Sequence, residues 1–269
     1  MFNNKTFLIT GAASGIGRLM ALAFARRGAA IVVVDINGEG ADAVAAEIGK
    51  SGGRAWAIRV DLTDIAQIEQ LPAQVHAVAG RIDGLVNNAG IVFGGAFDEV
   101  PLQQHLLTYR VNSDAMVALT YVFMPDLQAS REAHLVNIAS GAGFVGVPYG
   151  TTYAGSKWAA VGFSESLRQE FIERGMSNIA VTTVCPGYID TGMFSGVRMP
   201  SLFKPMSPDY IVGKIIEGVE AKEAFVKEPF ILKTTDWLRA ALPLRLQVKT
   251  AQILGLSDSM RHWKGRKAG

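Results

Sequence analysis

The sequence predicts an α/β chain built on a doubly wound parallel sheet, one domain with a helical extension at its C-terminal end. Three observations predict it. Along the first two-thirds of the 269 residues, short β-branched runs alternate with longer helical stretches six times over. The second of these runs, Ala30-Ile31-Val32-Val33-Val34-Asp35, is almost wholly apolar, as a strand covered on both faces must be. The first run ends in a cluster of glycines that opens directly into a helix-like stretch. One α/β domain fits this length.

Taken in order, Phe7-Leu8-Ile9-Thr10 is the first strand and 14–28 the helix behind it. The second strand, 30–35, is followed by a helix to about residue 48, and 55–60 is the third strand. Residues 82–87, 134–139 and 179–185 repeat the pattern with helical spacers between them. Right-handed crossovers align the carboxyl ends of such strands along one edge, and ligands bind at that edge. Ser207-Pro208-Asp209 opens a helix to about Glu220. The body is expected to be 1–224. The remainder, 225–269, is an amphipathic extension of the same domain, with 237–242 and 244–256 helical and broken at Pro243.

Net charge is +2 and uneven: 225–269 holds nine Lys/Arg against three Asp/Glu, a net of +6, which leaves −4 on 1–224. A total this small does not argue for nucleic acid, and no such partner is expected. Cys185 is the only cysteine, so an intrachain disulfide is excluded; next to Pro186 at a strand end it reads as a small buried residue. The start, Met1-Phe2-Asn3-Asn4-Lys5, lacks the charged-then-apolar pattern of a leader, and no uncharged apolar stretch has the length of a membrane span. A cytoplasmic protein is the expectation. His76, His105, His134 and His262 are scattered without metal-site spacing, so no metal is expected.

The glycine cluster, Thr10-Gly11-Ala12-Ala13-Ser14-Gly15-Ile16-Gly17, has the spacing Gly-x-x-x-Gly-x-Gly. Glycines permit a tight bend and close approach of a pyrophosphate, and the helix start offers free N–H groups and the positive end of its dipole. Asp35 ends the second strand, where a carboxylate accepts hydrogen bonds from both adenosine ribose hydroxyls and repels a 2′-phosphate. No Arg or Lys stands at Ser14, Ile36 or Asn37, so NAD is expected over NADP. As a bland alternative, Asp35 opens a solvated turn at Asp35-Ile36-Asn37-Gly38. Asp61-Leu62, ending the third strand, either flanks adenine or supplies Asp61 as N-cap of the helix through Ile65.

Tyr153 and Lys157 lie four residues apart in a helical segment and so share one face. A phenol with pKa near 10 is only about 0.1% ionised at pH 7, and lowering it three units requires roughly 4 kcal/mol. An ammonium about 4 Å away at an effective dielectric of 20 supplies roughly that much. The pair is therefore expected to make an activated acid/base. Taken singly, Ser140 reads as a turn hydroxyl before Gly141 and Asn112 as a backbone-satisfying amide. Tyr149, a rival phenol, has no lysine four residues on and is expected to wall the substrate pocket.

These residues together resemble the short-chain dehydrogenase/reductase family. The chain carries, in that family's order, Thr10-Gly11-x-x-x-Gly15-Ile16-Gly17, Asn87-Asn88-Ala89-Gly90, Asn112, Ser140, Tyr153-x-x-x-Lys157 and Pro186-Gly187, over about residues 5–195. The resemblance implies a Rossmann fold and an NAD-dependent oxidoreductase interconverting alcohol and ketone or aldehyde. It implies Tyr153 as general acid/base, with Lys157 lowering its pKa and holding the nicotinamide ribose. Ser140 would hydrogen-bond the substrate oxygen, and Asn112 would position a water linking Lys157 to solvent. Asn88 would brace the central sheet, and Ala89-Gly90 would let the cofactor lie close. Ile189 and Thr191, after Pro186-Gly187, would hold the carboxamide. A homodimer or homotetramer is implied as well, paired through the helices after the fourth and fifth strands. The alternatives are an NADPH-dependent ketoreductase and a non-catalytic dinucleotide sensor. A sensor would not need the proton-transfer set. Sugar epimerases or dehydratases of the extended type usually carry a larger C-terminal region.

The segments expected to line the substrate side are apolar: Ala142, Val145 and Tyr149 in 141–149, and Tyr188, Met193 and Phe194 in a loop running on through Arg198, Met199, Leu202 and Phe203. Such walls suit a lipophilic alcohol or ketone, of steroid, retinoid, long-chain or aromatic type. Three roles compete for the basic extension: capping the pocket, packing on a second subunit, or lying on an anionic membrane. Packing on pocket or subunit is preferred to the membrane.

Overall fold

The computed structural model describes residues 2–197, 204–253 and 255–265. Arg198, Met199, Leu202 and Phe203 of the expected substrate loop lie outside them, as do Arg266 and Lys267 of the basic tail.

Seven strands of the described residues form one parallel sheet: β1 (Thr6–Thr10), β2 (Ala30–Asp35), β3 (Ala55–Arg59), β4 (Gly84–Asn87), β5 (Ala133–Ile138), β6 (Ile179–Pro186) and β7 (Phe225–Glu228). They stand in the order β3-β2-β1-β4-β5-β6-β7. The chain runs outward one way from β1 to β3, returns, and runs outward the other way from β4. The switch therefore falls between β1 and β4, the crevice in which open α/β sheets bind ligands.

Side chains alternate across the sheet and build a core on each face. Phe7, Ile9, Ile31 and Val33 pack against Met20 and Phe24 of α1 (Gly15–Arg26), Val44 of α2 (Gly38–Lys50) and Ile215 of α7 (Pro208–Glu220). Leu8, Val32 and Val34 face the other way, toward Leu71 of α3 (Ile65–Ala79) and Phe123 of α5 (Ala115–Ala129). Between β4 and α5 come α4 (Leu102–Tyr109) and a single π-helical turn, Arg110–Asp114; α6 (Thr151–Glu173) follows β5. Local capping agrees with the sequence: Asn37 Oδ1 accepts the Gly40 N–H, and Ser207 Oγ accepts the Tyr210 N–H with Pro208 in the first turn of α7.

Six strands were expected, and β7 is the seventh. It is four residues long and reads Phe-Val-Lys-Glu, so neither length nor apolarity marks it. It forms because Val226 closes the α7 face of the core, while the buried Lys227 lays its ammonium 4.1 Å from the Phe144 ring centroid. The first residues of the expected extension thus complete the sheet. Beyond them α8 (Thr235–Ala241) and α9 (Leu244–Ile253) are separated at Pro243 as expected, and a 3₁₀ turn, Ser259–His262, follows.

Candidate active site

The glycine bend takes backbone angles that other residues rarely adopt: Gly11 and Gly15 have φ of +63° and +58°. A Cβ on Gly17 would stand 2.2 Å from the Gly11 carbonyl oxygen, so α1 rests directly on the bend. That contact aims the unpaired N–H groups of its first turn into the crevice. Asn88 holds the bend from the neighbouring strand end, its Nδ2 donating to the carbonyls of Thr10 (2.8 Å) and Gly11 (3.2 Å). Thr10 Oγ1 in turn accepts the N–H groups of Asn88 and Ala89. Asn88 therefore braces the bend. The central sheet is braced by its neighbour Asn87, which donates to Asn137 Oδ1 at 2.8 Å across β4 and β5. That role had a sequence signal, two asparagines in runs otherwise apolar, but the register that pairs them is visible only in the fold.

Asp35 closes the turn expected of it and lines the cleft. One carboxylate oxygen accepts the Ala13 N–H of the bend at 2.9 Å and the other the Asn37 N–H at 3.0 Å. Asp61 is not the N-cap of α3. Asp64 fills that place by accepting the Ala66 N–H, because the helix starts four residues beyond Asp61. Asp61 accepts the backbone and hydroxyl groups of Thr63, and those two bonds pull its pKa below the usual value.

Ser140 follows β5, its Oγ accepting the Ala142 N–H and donating to the Pro186 carbonyl. Tyr153 and Lys157 occupy the first two turns of α6, on one face and both buried. Lys157 Nζ donates to the Ile138 carbonyl at 2.8 Å and sits 5.8 Å from the Tyr153 ring centroid. The expected acidified phenol is corrected here. Burial pushes the Tyr153 phenol up to about 12, although the Ser140 hydroxyl beside it pulls the other way. Burial likewise brings Lys157 down to about 8. The lysine is committed to a carbonyl beneath the ring, and desolvation outweighs whatever charge it offers.

Asn112 lies in the π-helical turn, behind the lining of the crevice. Its Oδ1 accepts the Ile91 N–H, and its Nδ2 donates to the Ile91 carbonyl and to Ser156 Oγ. The amide clamps the loop after β4. A Cβ on Gly90 would fall 3.4 Å from Asn112 Oδ1 and 3.6 Å from Lys157 Nζ, so these groups converge on Gly90.

One cleft of about 580 Å³ runs along this edge. Its walls include Gly11, Ser14, Gly15, Ile16, Gly17, Asp35, Asp61, Leu62, Asn88, Ala89, Gly90, Ser140, Tyr153, Lys157, Pro186, Gly187, Ile189, Thr191, Met193 and Phe194. Ile36, Thr63, Ile91, Leu107 and Val111 also line it and had no motif to mark them. Of the other expected substrate residues, Ala142, Tyr149 and Tyr188 pack in the apolar cluster around Tyr153. Val145 does not: it is exposed, and its carbonyl accepts the Trp158 indole N–H. Among the described residues no group of His, Cys, Asp or Glu could hold a metal ion.

Sequence reasoning also missed a strap made by residues 259–264. Tyr188 Oη meets Ser259 Oγ at 3.0 Å, Trp263 Nε1 donates to the Met193 carbonyl at 3.0 Å, and the Lys264 N–H reaches the Ser195 carbonyl at 2.9 Å. Met260 is buried in the Tyr153 cluster. Glycines in separate loops leave room for the strap: a Cβ on Gly94 would lie 2.6 Å from Trp263 Cβ, and one on Gly196 would lie 2.4 Å from the His262 carbonyl oxygen. These residues pack against Tyr188, Met193 and the cluster around Tyr153.

Residues 5–200 match the short chain dehydrogenase family over most of the chain. The chain belongs to that family. Epidermal retinol dehydrogenase 2 of Mus musculus is 36% identical over 265 residues, which cover 97% of this chain and 85% of the relative. Estradiol 17-beta-dehydrogenase 11 of Homo sapiens is 32% identical over 256 residues, covering 92% and 85%. Among solved structures, a short chain dehydrogenase/reductase from Burkholderia phymatum in complex with NAD shares the fold of this dehydrogenase. Its TM-score is 0.81 at 23% identity, covering 91% of this chain and 96% of that one. A putative NAD(P) dependent gluconate 5-dehydrogenase from Beutenbergia cavernae, with bound NADP at low occupancy, gives a TM-score of 0.74 at 30% identity, covering 84% and 94%.

Proposed function

We propose that this short-chain dehydrogenase interconverts a lipophilic alcohol and its ketone or aldehyde with NAD as cofactor. The observation that carries the reading is the single cleft that joins the glycine bend and Asp35 at one end to Ser140, Tyr153 and Lys157 at the other. The residues fit a dinucleotide. Gly11 and Gly17 keep side chains out of the bend, the α1 start offers N–H donors to a pyrophosphate, and Asp35 offers its remaining lone pairs to ribose hydroxyls. When bound, a nicotinamide dinucleotide supplies or takes the hydride and, in its oxidised form, brings a positive charge to the cleft.

The chain's own groups handle the proton. Tyr153, protonated at rest, gives its phenolic proton to a carbonyl oxygen in reduction; in oxidation the phenol first releases its proton to solvent, and the phenolate then receives the substrate hydroxyl proton. Ser140 Oγ is placed to hydrogen-bond the same oxygen and to stabilise charge developing there. Lys157 keeps an ammonium beneath the phenol, and Asn112 fixes the loop beside it. On the substrate side the wall is Met193 and Phe194, backed by Tyr188, Met260 and Trp263. A lipophilic substrate suits this wall, and relatives named for retinol and estradiol support it.

One observation favours the NADP alternative. Arg59 stands in register with Asp35 and donates to the Ile36 carbonyl at 3.1 Å, a cation on that side which the sequence did not place. Asp35 lines the cleft, and its carboxylate opposes a 2′-phosphate, so NAD is the reading adopted. Titration calorimetry tests it: NAD is expected to bind at least about tenfold tighter than NADP, roughly one unfavourable charge contact. Tighter binding of the phosphorylated cofactor would overturn it. Turnover confined to short polyols or sugars would overturn the lipophilic assignment.

A further inference from the structure

The strap leaves the rest of the extension unexplained. None of the ten residues of α9 is buried. Six large apolar side chains of this arm, Phe230, Trp237, Leu244, Leu246, Val248 and Ile253, are between 48% and 84% exposed. A contiguous segment this apolar on a protein surface marks contact with something apolar. Its charge is one-sided as well. Between residues 229 and 257 stand Lys233, Arg239, Arg245 and Lys249, against Asp236 as the sole acid.

Both ends of the arm are held against the body of the molecule. Before α8, Leu232 fills the space beside Gly141, and within α8 Arg239 lies 4.2 Å from the Trp158 ring centroid. After α9 comes the strap, with Met260 and Trp263 packed around Tyr153. The arm is thus an apolar, cationic segment, joined at its C-terminal end to the strap that packs around Tyr153.

We propose that the α8–α9 arm docks on an anionic lipid surface, its apolar side chains entering the headgroup boundary and Lys233, Arg245 and Lys249 meeting lipid phosphates. Charge complementarity selects this occupant. Pairing two copies about a two-fold axis would bring like cations together, with one acid per arm to offset them. An anionic bilayer accepts all of them, and exposed Trp and Leu beside Lys and Arg suit its interface. Among the described residues no helix is long and apolar enough to cross a membrane, so the contact is peripheral.

The test is flotation of the full chain with vesicles of phosphatidylserine and phosphatidylcholine, and with phosphatidylcholine alone, while tryptophan emission is recorded. The chain is expected to float with the anionic vesicles only and to shift its emission to the blue, with the shift absent in Trp237→Phe. Each cation near an anionic surface raises binding roughly fivefold. An Arg245→Glu/Lys249→Glu variant, altered at two exposed positions, should therefore partition more than about tenfold less, with unchanged circular dichroism. Failure to float, equal flotation with both vesicles, or flotation without a Trp237 shift would overturn the proposal. So would light scattering showing an oligomer that Leu244→Asp dissociates, since the arm would then belong to a second copy. None of these readings depends on turnover.

Discussion

At the scale of single residues, the spacing of Tyr153 and Lys157 was legible and its electrostatic consequence was not. Four residues on a helix place two side chains on one face, but whether the face is wet or dry is decided by segments far away in sequence. Here Ile138 takes the ammonium, and burial raises the phenol while lowering the lysine. The signs give a pH dependence. Reduction needs a protonated phenol and a charged lysine, so its rate should hold below about pH 8 and fall as Lys157 discharges above it. Oxidation needs the phenol as base and should rise over the same range. Single-turnover rates from pH 6 to 10 in both directions check this; a reductive rate that climbs through pH 8 would contradict the Lys157 assignment. Asp35 was read correctly as a strand-end carboxylate. Its two backbone partners were not foreseen, because they depend on how the glycine bend folds back over β2.

At the scale of elements, the strands that carry the cleft were legible because β-branched runs recur with helical spacers, and the cofactor-side residues sit at their ends. What was hidden is short or without pattern: β7, with a lysine and a glutamate in four residues, and the strap, whose partners are carbonyls and glycines in three other loops. The strap carries its own prediction. Trp263→Ala removes the indole from the Met193 carbonyl and from the space over Gly94, so the loop at 193–197 loses its hold. KM for a bulky apolar alcohol should rise about tenfold, the equivalent of roughly 1.4 kcal/mol, while cofactor affinity stays within about twofold. Thermal melting should fall by about 2–4 °C for each kcal/mol lost. If KM for bulky and small alcohols rises equally, the strap only stabilises the fold.

For the whole molecule, the two-faced core explains stability and one of its pH limits. His134, second in β5, lies between the rings of Phe2 and Phe7, with centroids 5.6 and 5.7 Å away, and burial holds its pKa down to about 4. The unfolded chain takes that proton near pH 6.5, so the contribution is complete above 6.5 and is lost as pH falls through 4. It amounts to about 3 kcal/mol, and His134→Phe should flatten the stability–pH slope in that window by about one proton. An unchanged slope would remove His134 from the account. The claim on which the molecule's reading rests is that one sheet edge joins a dinucleotide cradle to a proton-transferring phenol. Tyr153→Phe tests it most directly, with cofactor binding followed by calorimetry and hydride transfer by the absorbance of the reduced nicotinamide. The account predicts affinity within about twofold of the parent and turnover lower by about 10²–10⁴. Full turnover in the phenylalanine variant would contradict it.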